Sequence, residues 1–349
     1  MLQRYRAKSH GSRVAVLSLS LLLVLLTLAI LSAGLGQFPV PPQEILAAIA
    51  RKLHLLGGGP GDADGTLWNV RFPRLVMAAL VGAALGLSGA VMQAVFGNPL
   101  AEPAVIGVSA GSAVGASAMI VFGGASVGLF GQPLAAFLAG LITTILVYLL
   151  SRANGKASVL TLVLTGISIN ALASAGIAFM VFLADTQSRE QIVFWQMGSL
   201  NGSTWEAVLS ILPPIALGMV LSLLLSSRLD VLALGERAAG HVGLSVEWVR
   251  MLAIVAVALM TSGAVAHAGI IGFVGLIVPH LMRITVGPSA KALLPLSMLG
   301  GALMVSLADL AARTMIPFAD LPIGIFTALV GAPIFFLLLR RTLKKSGAL

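Results

Sequence analysis

The chain has no cysteine, only two tyrosines, and just 12 acidic side chains among 349 residues. Lack of cysteine excludes disulfides, thiolate metal sites and cysteine nucleophiles. Charge of either sign is scarce: 9% of residues are Asp, Glu, Lys or Arg, against about a quarter in an ordinary soluble domain. Such a chain cannot cover a water-facing surface. Catalytic signatures are missing too, with no GxxxxGK[ST] phosphate loop and no HExxH. The Gly-Lys of "NGKAS" has neither the upstream glycine nor the following Ser or Thr, so ATP is not bound by that route. The five histidines (10, 54, 241, 267, 280) are scattered, which argues against a metal cluster. Hydrocarbon remains: 58% hydrophobic residues and a mean hydropathy of +1.04, the composition of an integral membrane protein.

A helix needs roughly 20 apolar residues to cross the hydrocarbon core. Windows of that kind fall at 14–35, 74–93, 104–122, 133–151, 159–183, 206–227, 248–267, 273–287, 292–313 and 322–340. The expected fold is therefore all-α, a single transmembrane domain over 1–349 with about ten spans, the eighth short. The first run is too long for a signal-peptide core and reads as a span behind a basic leader, 1–13, with Arg4, Arg6, Lys8 and Arg13. Both termini are basic. Placing them in the cytoplasm puts 15 of the 21 Lys and Arg on that side. The other six are Arg51, Lys52, Arg71, Arg74, Arg189 and Arg313, and the imbalance is the positive-inside bias. The net charge of +9 is thus a topology signal and not a nucleic-acid footprint.

"LSGAV" (87–91) and "TSGAV" (261–265) lie on spans running in opposite directions. They suggest an inverted repeat of spans 2–5 and 7–10. Glycines spaced by four, Gly82 with Gly86 and Gly111 with Gly115, suit close helix packing in lipid. Ionisable residues inside spans are too few for a proton relay, and Asp309 and Arg313, four apart, can pair with each other. The longest cytoplasmic connection, 226–250, reads as two short amphipathic helices around Gly240 and Gly243, suited to docking in a partner's groove. "VFGNPLAEPAVIGVSAG" (95–111) is a polar turn between the second and third spans, where prolines end one helix and begin the next. Glu102 within it either caps the helix that follows or is solvated at the interface.

The stretch from "RFPRLVMAALVGAALGLSGAVMQAVFGNPLAEP" through "LGERAAGHVGLS" and "GIIGFVGLIVPHLMRITVG" to "LADLAARTMIPFADLPIGIFTALVGAPIFFLLLRR" resembles the FecCD family over about residues 70–340. These are permease subunits of binding-protein-dependent ABC importers for haem, ferric siderophores and cobalamin. The resemblance implies the type II importer fold and a homodimer with its pathway on the two-fold axis, in the bacterial inner membrane. It also implies two cytoplasmic ATPase subunits, which use ATP and Mg, and a periplasmic binding protein. This chain is then no enzyme and holds no cofactor of its own. By motif, Arg71, Arg74 and Arg313 would dock glutamates of the binding protein, or else anchor helix ends by snorkelling. Leu234, Gly235, Glu236, Ala239 and Gly243 would contact the ATPase. Asn98 and Leu100, facing Ser158 and Val159, would form the inner gate.

For cargo, Ile270 and Ile271 stand where many siderophore permeases carry Gly-Pro-Ile, a variant closer to haem permeases. Haem is the leading expectation, with His267 as a haem contact or simply a packed interface residue. Ferric siderophore and cobalamin follow. A reading of another class is an ATP-independent secondary transporter or channel.

Overall fold

The computed structural model describes residues 2–57, 60–123, 128–153, 156–316 and 319–345. Its helices are α1 (Leu2–Gly34), α2 (Pro42–Lys52), the single turn α3 (Asp64–Thr66), α4 (Phe72–Phe96), α5 (Val108–Phe122), α6 (Gly128–Leu150), α7 (Val159–Leu183), α8 (Thr186–Met197), α9 (Trp205–Leu224), α10 (Ser226–Leu232), α11 (Glu236–His241), α12 (Val246–Ala268), α13 (Val274–Val286), α14 (Ala290–Thr314) and α15 (Ile323–Lys345). A two-residue ribbon, β1 (Arg152–Ala153) with β2 (Lys156–Ala157), joins α6 to α7. Among the described residues, seven helices are long and apolar enough to cross a membrane, and α5, α13 and α15 are shorter apolar helices. Together they are the ten expected spans. The protein is a multi-pass membrane protein.

Leucine, valine and alanine leave few grips between helices in lipid, so glycine supplies them by letting backbones meet. Gly82 and Gly86 on α4 face Gly301 and the Ser297 carbonyl on α14, and a Cβ at either glycine would collide with that backbone. Gly89 meets Gly275 of α13 in the same way. On the other side of the bundle, Gly111 and Gly115 of α5 seat against Thr143 and Ala135 of α6. As a result α4 and α12 are largely buried, whereas α1, α7 and α9 present most of their surface outward.

The inverted repeat has structural counterparts. α4 packs on α14 as α12 packs on α6, α5 on α6 as α13 on α14, and α5 on α7 as α13 on α15. The third and eighth spans, α5 and α13, are both short because an irregular segment precedes each. Both start from a left-handed residue, Gly107 (φ 81°) and Phe273 (φ 67°). A glycine of the fifth span, Gly166, abuts the Val105 carbonyl before α5, and Gly331 of the tenth abuts Phe273 before α13.

The insert does contain two short helices, but they are divided earlier than expected. The break is at Gly235 (φ 105°), while Gly240 lies inside α11 and Gly243 (φ 81°) separates α11 from α12. Glu102 does not cap by its side chain. Its backbone carbonyl accepts from Val105 N (3.1 Å) at the start of the 3₁₀ turn Pro103–Ile106, and its carboxyl is half-buried. That burial raises the Glu102 pKa above the usual carboxylate range.

Candidate docking, gate and coupling sites

At one end of the bundle, a π-helical turn (Leu67–Arg71) runs straight into α4. It sets Arg71 and Arg74 one turn apart, pointing toward α1 and the end of α14. Arg74 donates from Nε to Asp309 Oδ1 (2.8 Å) and from a terminal nitrogen to Asp320 Oδ2 (3.1 Å). Asp309 is 1% exposed. Arg313, one turn further along α14, has its Nε 3.7 Å from Asp309 Oδ2. The expected Asp309–Arg313 pair therefore exists, but Arg74 is the closer partner. Arg313 also donates to the carbonyls of Leu35 (2.8 Å) and Ser32, and Arg71 donates to those of Ala33 and Phe38. These bonds satisfy carbonyls left open where α1 ends.

All three arginines thus line one cleft, together with Gln37, Asn201 and Asp320. Three cations against two carboxylates leave the cleft positive. Their side chains are mostly covered, with Arg74 and Arg313 each 11% exposed, so an acidic partner would have to reach into the cleft to meet them. Nearby, α2 carries Arg51, whose guanidinium is bound by Glu44 (2.6 Å) and Asp64 (2.6 Å), and those carboxylates raise its pKa further.

The opposite end holds the gate and coupling candidates. Asn98 and Leu100 are exposed in the turn after α4, where Gly97 (φ 59°) ends the helix. The Asn98 side chain is already in use, accepting from Leu100 N (2.9 Å), a bond that shapes the turn. Ser158 is the N-cap of α7 in a reciprocal capping box with Thr161, and Val159, the first helical residue, packs on the core. In the insert, Leu234 (76% exposed), Gly235, Glu236 and Gly243 face outward. Ala239 is fully buried, so it fastens α11 to the bundle and leaves the outer face to the other four.

His267 closes α12 at the arginine end. Its Nε2 lies 2.9 Å from Ser210 Oγ on α9, beside a mainly apolar recess between α6, α9 and α12 lined by Phe130, Phe137 and Pro214.

Two polar constellations escaped the sequence reading. Arg250, 2% exposed at the start of α12, is bonded to Glu236 and to the Ala157 carbonyl. Asp230 of α10 accepts from Ser289 Oγ (3.0 Å) and Ala290 N (2.5 Å), capping α14 from 60 residues away. The signal for the first was an arginine set beside two glutamates, Glu236 and Glu247, in an otherwise apolar chain. The second left no local signal, since Ser289 itself offers α14 no side-chain cap.

The model of the FecCD transport family matches residues 21–341. Among curated relatives, the Cobalamin import system permease protein BtuC of Halobacterium salinarum is 40% identical over 87% of this chain and 80% of its own. The Hemin transport system permease protein HmuU of Yersinia pestis is 35% identical over 94% of this chain and 96% of its own. A solved structure described as an inward-facing metal-chelate type ABC transporter superposes with a TM-score of 0.82 at 37% identity, over 93% of this chain and 98% of that one. With fold, motif order and near full-length identity in agreement, the chain belongs to the FecCD transport family.

Proposed function

We propose that this chain is the membrane-spanning permease subunit of an ATP-driven metal-chelate importer in the bacterial inner membrane. It works as a homodimer with two cytoplasmic ATPase subunits and a periplasmic binding protein, and both of its termini lie in the cytoplasm. The observation that carries this reading is the division of labour between the two ends of the bundle. One end bears a positive cleft of Arg71, Arg74 and Arg313, suited to glutamates of a binding protein. The other bears a glycine-bounded helix with Leu234 and Glu236 turned outward, suited to a groove in an ATPase. Asn98, Leu100, Ser158 and Val159 close the inner end of the pathway between them.

Within the chelates we assign haem, in line with the haemin-permease relative and the Ile270–Ile271 pair. His267 is the imidazole available to the iron if its bond to Ser210 is given up. The 40% identical cobalamin permease favours cobalamin as the second reading, and ferric siderophore is the third.

The test is reconstitution in liposomes with ATPase and binding protein, offering haem, cobalamin and a ferric siderophore separately. ATP-dependent uptake of one chelate is expected. Uptake that ignores ATP would overturn the importer reading in favour of a secondary transporter or channel, and preference for cobalamin would overturn haem alone.

A further inference from the structure

We propose that Arg250 is the positioning residue that transmits movement of the ATPase-facing helix α11 to the first turn of α7, where Ser158 and Val159 stand. The inference rests on the assignment of α11 to the ATPase made above.

Three elements meet at this one guanidinium. One terminal nitrogen bonds Glu236, the first residue of α11. The other bonds the carbonyl of Ala157, the residue before the α7 cap. Glu247, one turn back on α12, stands 3.5 Å from Arg250, and its carboxylate accepts from Ala157 N (3.3 Å) and from the Tyr148 hydroxyl of α6 (2.6 Å). Ala157 is thus gripped by both its N–H and its C=O from a single turn of α12. It is 1% exposed and cannot shift without moving the arginine that holds it.

The part on the ATPase side is lightly held, Ala239 being the one residue of α11 that is buried. α11 has six residues and lies between two left-handed glycines, Gly235 and Gly243, with nothing near enough to obstruct them. Its Glu236 is half-exposed, with one oxygen on Arg250 and the side chain otherwise open to a partner. Little of α7 is buried within the chain, but its first turn is anchored by Val159 and Leu162, which pack on the core just beyond Ala157. Stability alone gives a weak reason for this arrangement, because a buried ion pair can often be replaced by apolar packing at no loss. A charged link between a docking helix and a gate segment gives a stronger one.

The chain's lack of cysteine provides a clean labelling background. A spin label at Leu160→Cys, on the exposed side of the first α7 turn, reports the distance between the two protomers in the reconstituted complex. In the otherwise unaltered complex that distance should change when ATP and vanadate trap the ATPase. Arg250→Met should abolish the change and lower uptake per ATP hydrolysed by at least ~10-fold. Arg250→Lys, which keeps the charge, should recover part of both. A Met variant with the normal distance change and normal uptake per ATP overturns the proposal. If the Met variant does not fold, Glu236→Gln tests the same tether from the surface side. It should lower uptake per ATP ~3-fold, and unchanged coupling overturns the proposal. An unaltered complex whose label ignores nucleotide overturns this proposal, whereas an ATPase that still binds after Leu234→Arg overturns the assignment of α11 itself.

Discussion

Arg74 and Asp309 lie 235 residues apart in the chain and meet at 2.8 Å, with the carboxylate all but sealed from solvent. The pair ties the start of the second span to the end of the ninth, at the mouth of the positive cleft. Removing one partner strands a buried charge, which typically costs about 3–5 kcal/mol, whereas removing both spares that mismatch and costs only the weaker contacts to Asp320 and Arg313. Asp309→Asn and Arg74→Met should each lower the thermal midpoint of the detergent-purified protein sharply. The double variant should recover much of the loss. A double variant as unstable as the sum of the two singles would mean that the residues act independently.

The glycine seam between α4 and α14 makes a steric prediction. Gly82→Ala forces a methyl group against the Gly301 backbone, with no flexible side chain able to yield, so a loss of about 1–3 kcal/mol is expected. Gly176→Ala, on α7 with open space around it, is the matched control and should be neutral or slightly stabilising. Chemical denaturation of the two variants side by side measures the difference, and equal losses would contradict backbone-to-backbone packing.

Glu102 supplies a pH dependence. Its pKa is raised in the folded chain by burial, and the folded state therefore holds the proton more tightly than the unfolded state does. The stability this contributes is fully present below the ordinary carboxylate pKa and is lost as pH rises through the raised value. Glu102→Gln should accordingly raise the thermal midpoint more at pH 8 than at pH 4.5. The same gain at both values would place Glu102 in water.

Asp230 is expected to behave as a helix cap acting at long range. Replacing it with Ala leaves the Ala290 N–H and the Ser289 hydroxyl without their acceptor, a loss of about 1 kcal/mol. Hydrogen exchange of Ala290 and its neighbours should accelerate in the variant, while exchange in α13 stays as it was. Unchanged protection at Ala290 would show that water substitutes for the carboxylate.

Periodicity and composition made the spans legible, since ten apolar windows became ten helices, most with boundaries within a few residues. The glycine pairs were legible as packing residues because their spacing repeats every helical turn, and structure gave each a definite partner. Short connecting helices were less so: α2 and α8 lie outside the apolar runs, and the insert broke at Gly235 because a left-handed backbone angle, not glycine count, decides where a helix stops. The candidate sites were legible as residue types but not as partnerships. Arg313 beside Asp309 reads from an i, i+4 spacing. Arg74 with the same aspartate, Arg250 with Ala157, and Asp230 with Ala290 depend on tertiary approach across 60 to 235 residues, which no local pattern encodes.

The unequal burial of the spans has a mechanical consequence. α4, α13 and α14 touch backbone to backbone through glycine, an arrangement with almost no slack for sliding. Any transport cycle must therefore treat that trio as a stator. The rotor is left to helices that bury less of their surface, α1, α7 and α9 among them, and strokes should be sought as tilts of those helices against a stationary post.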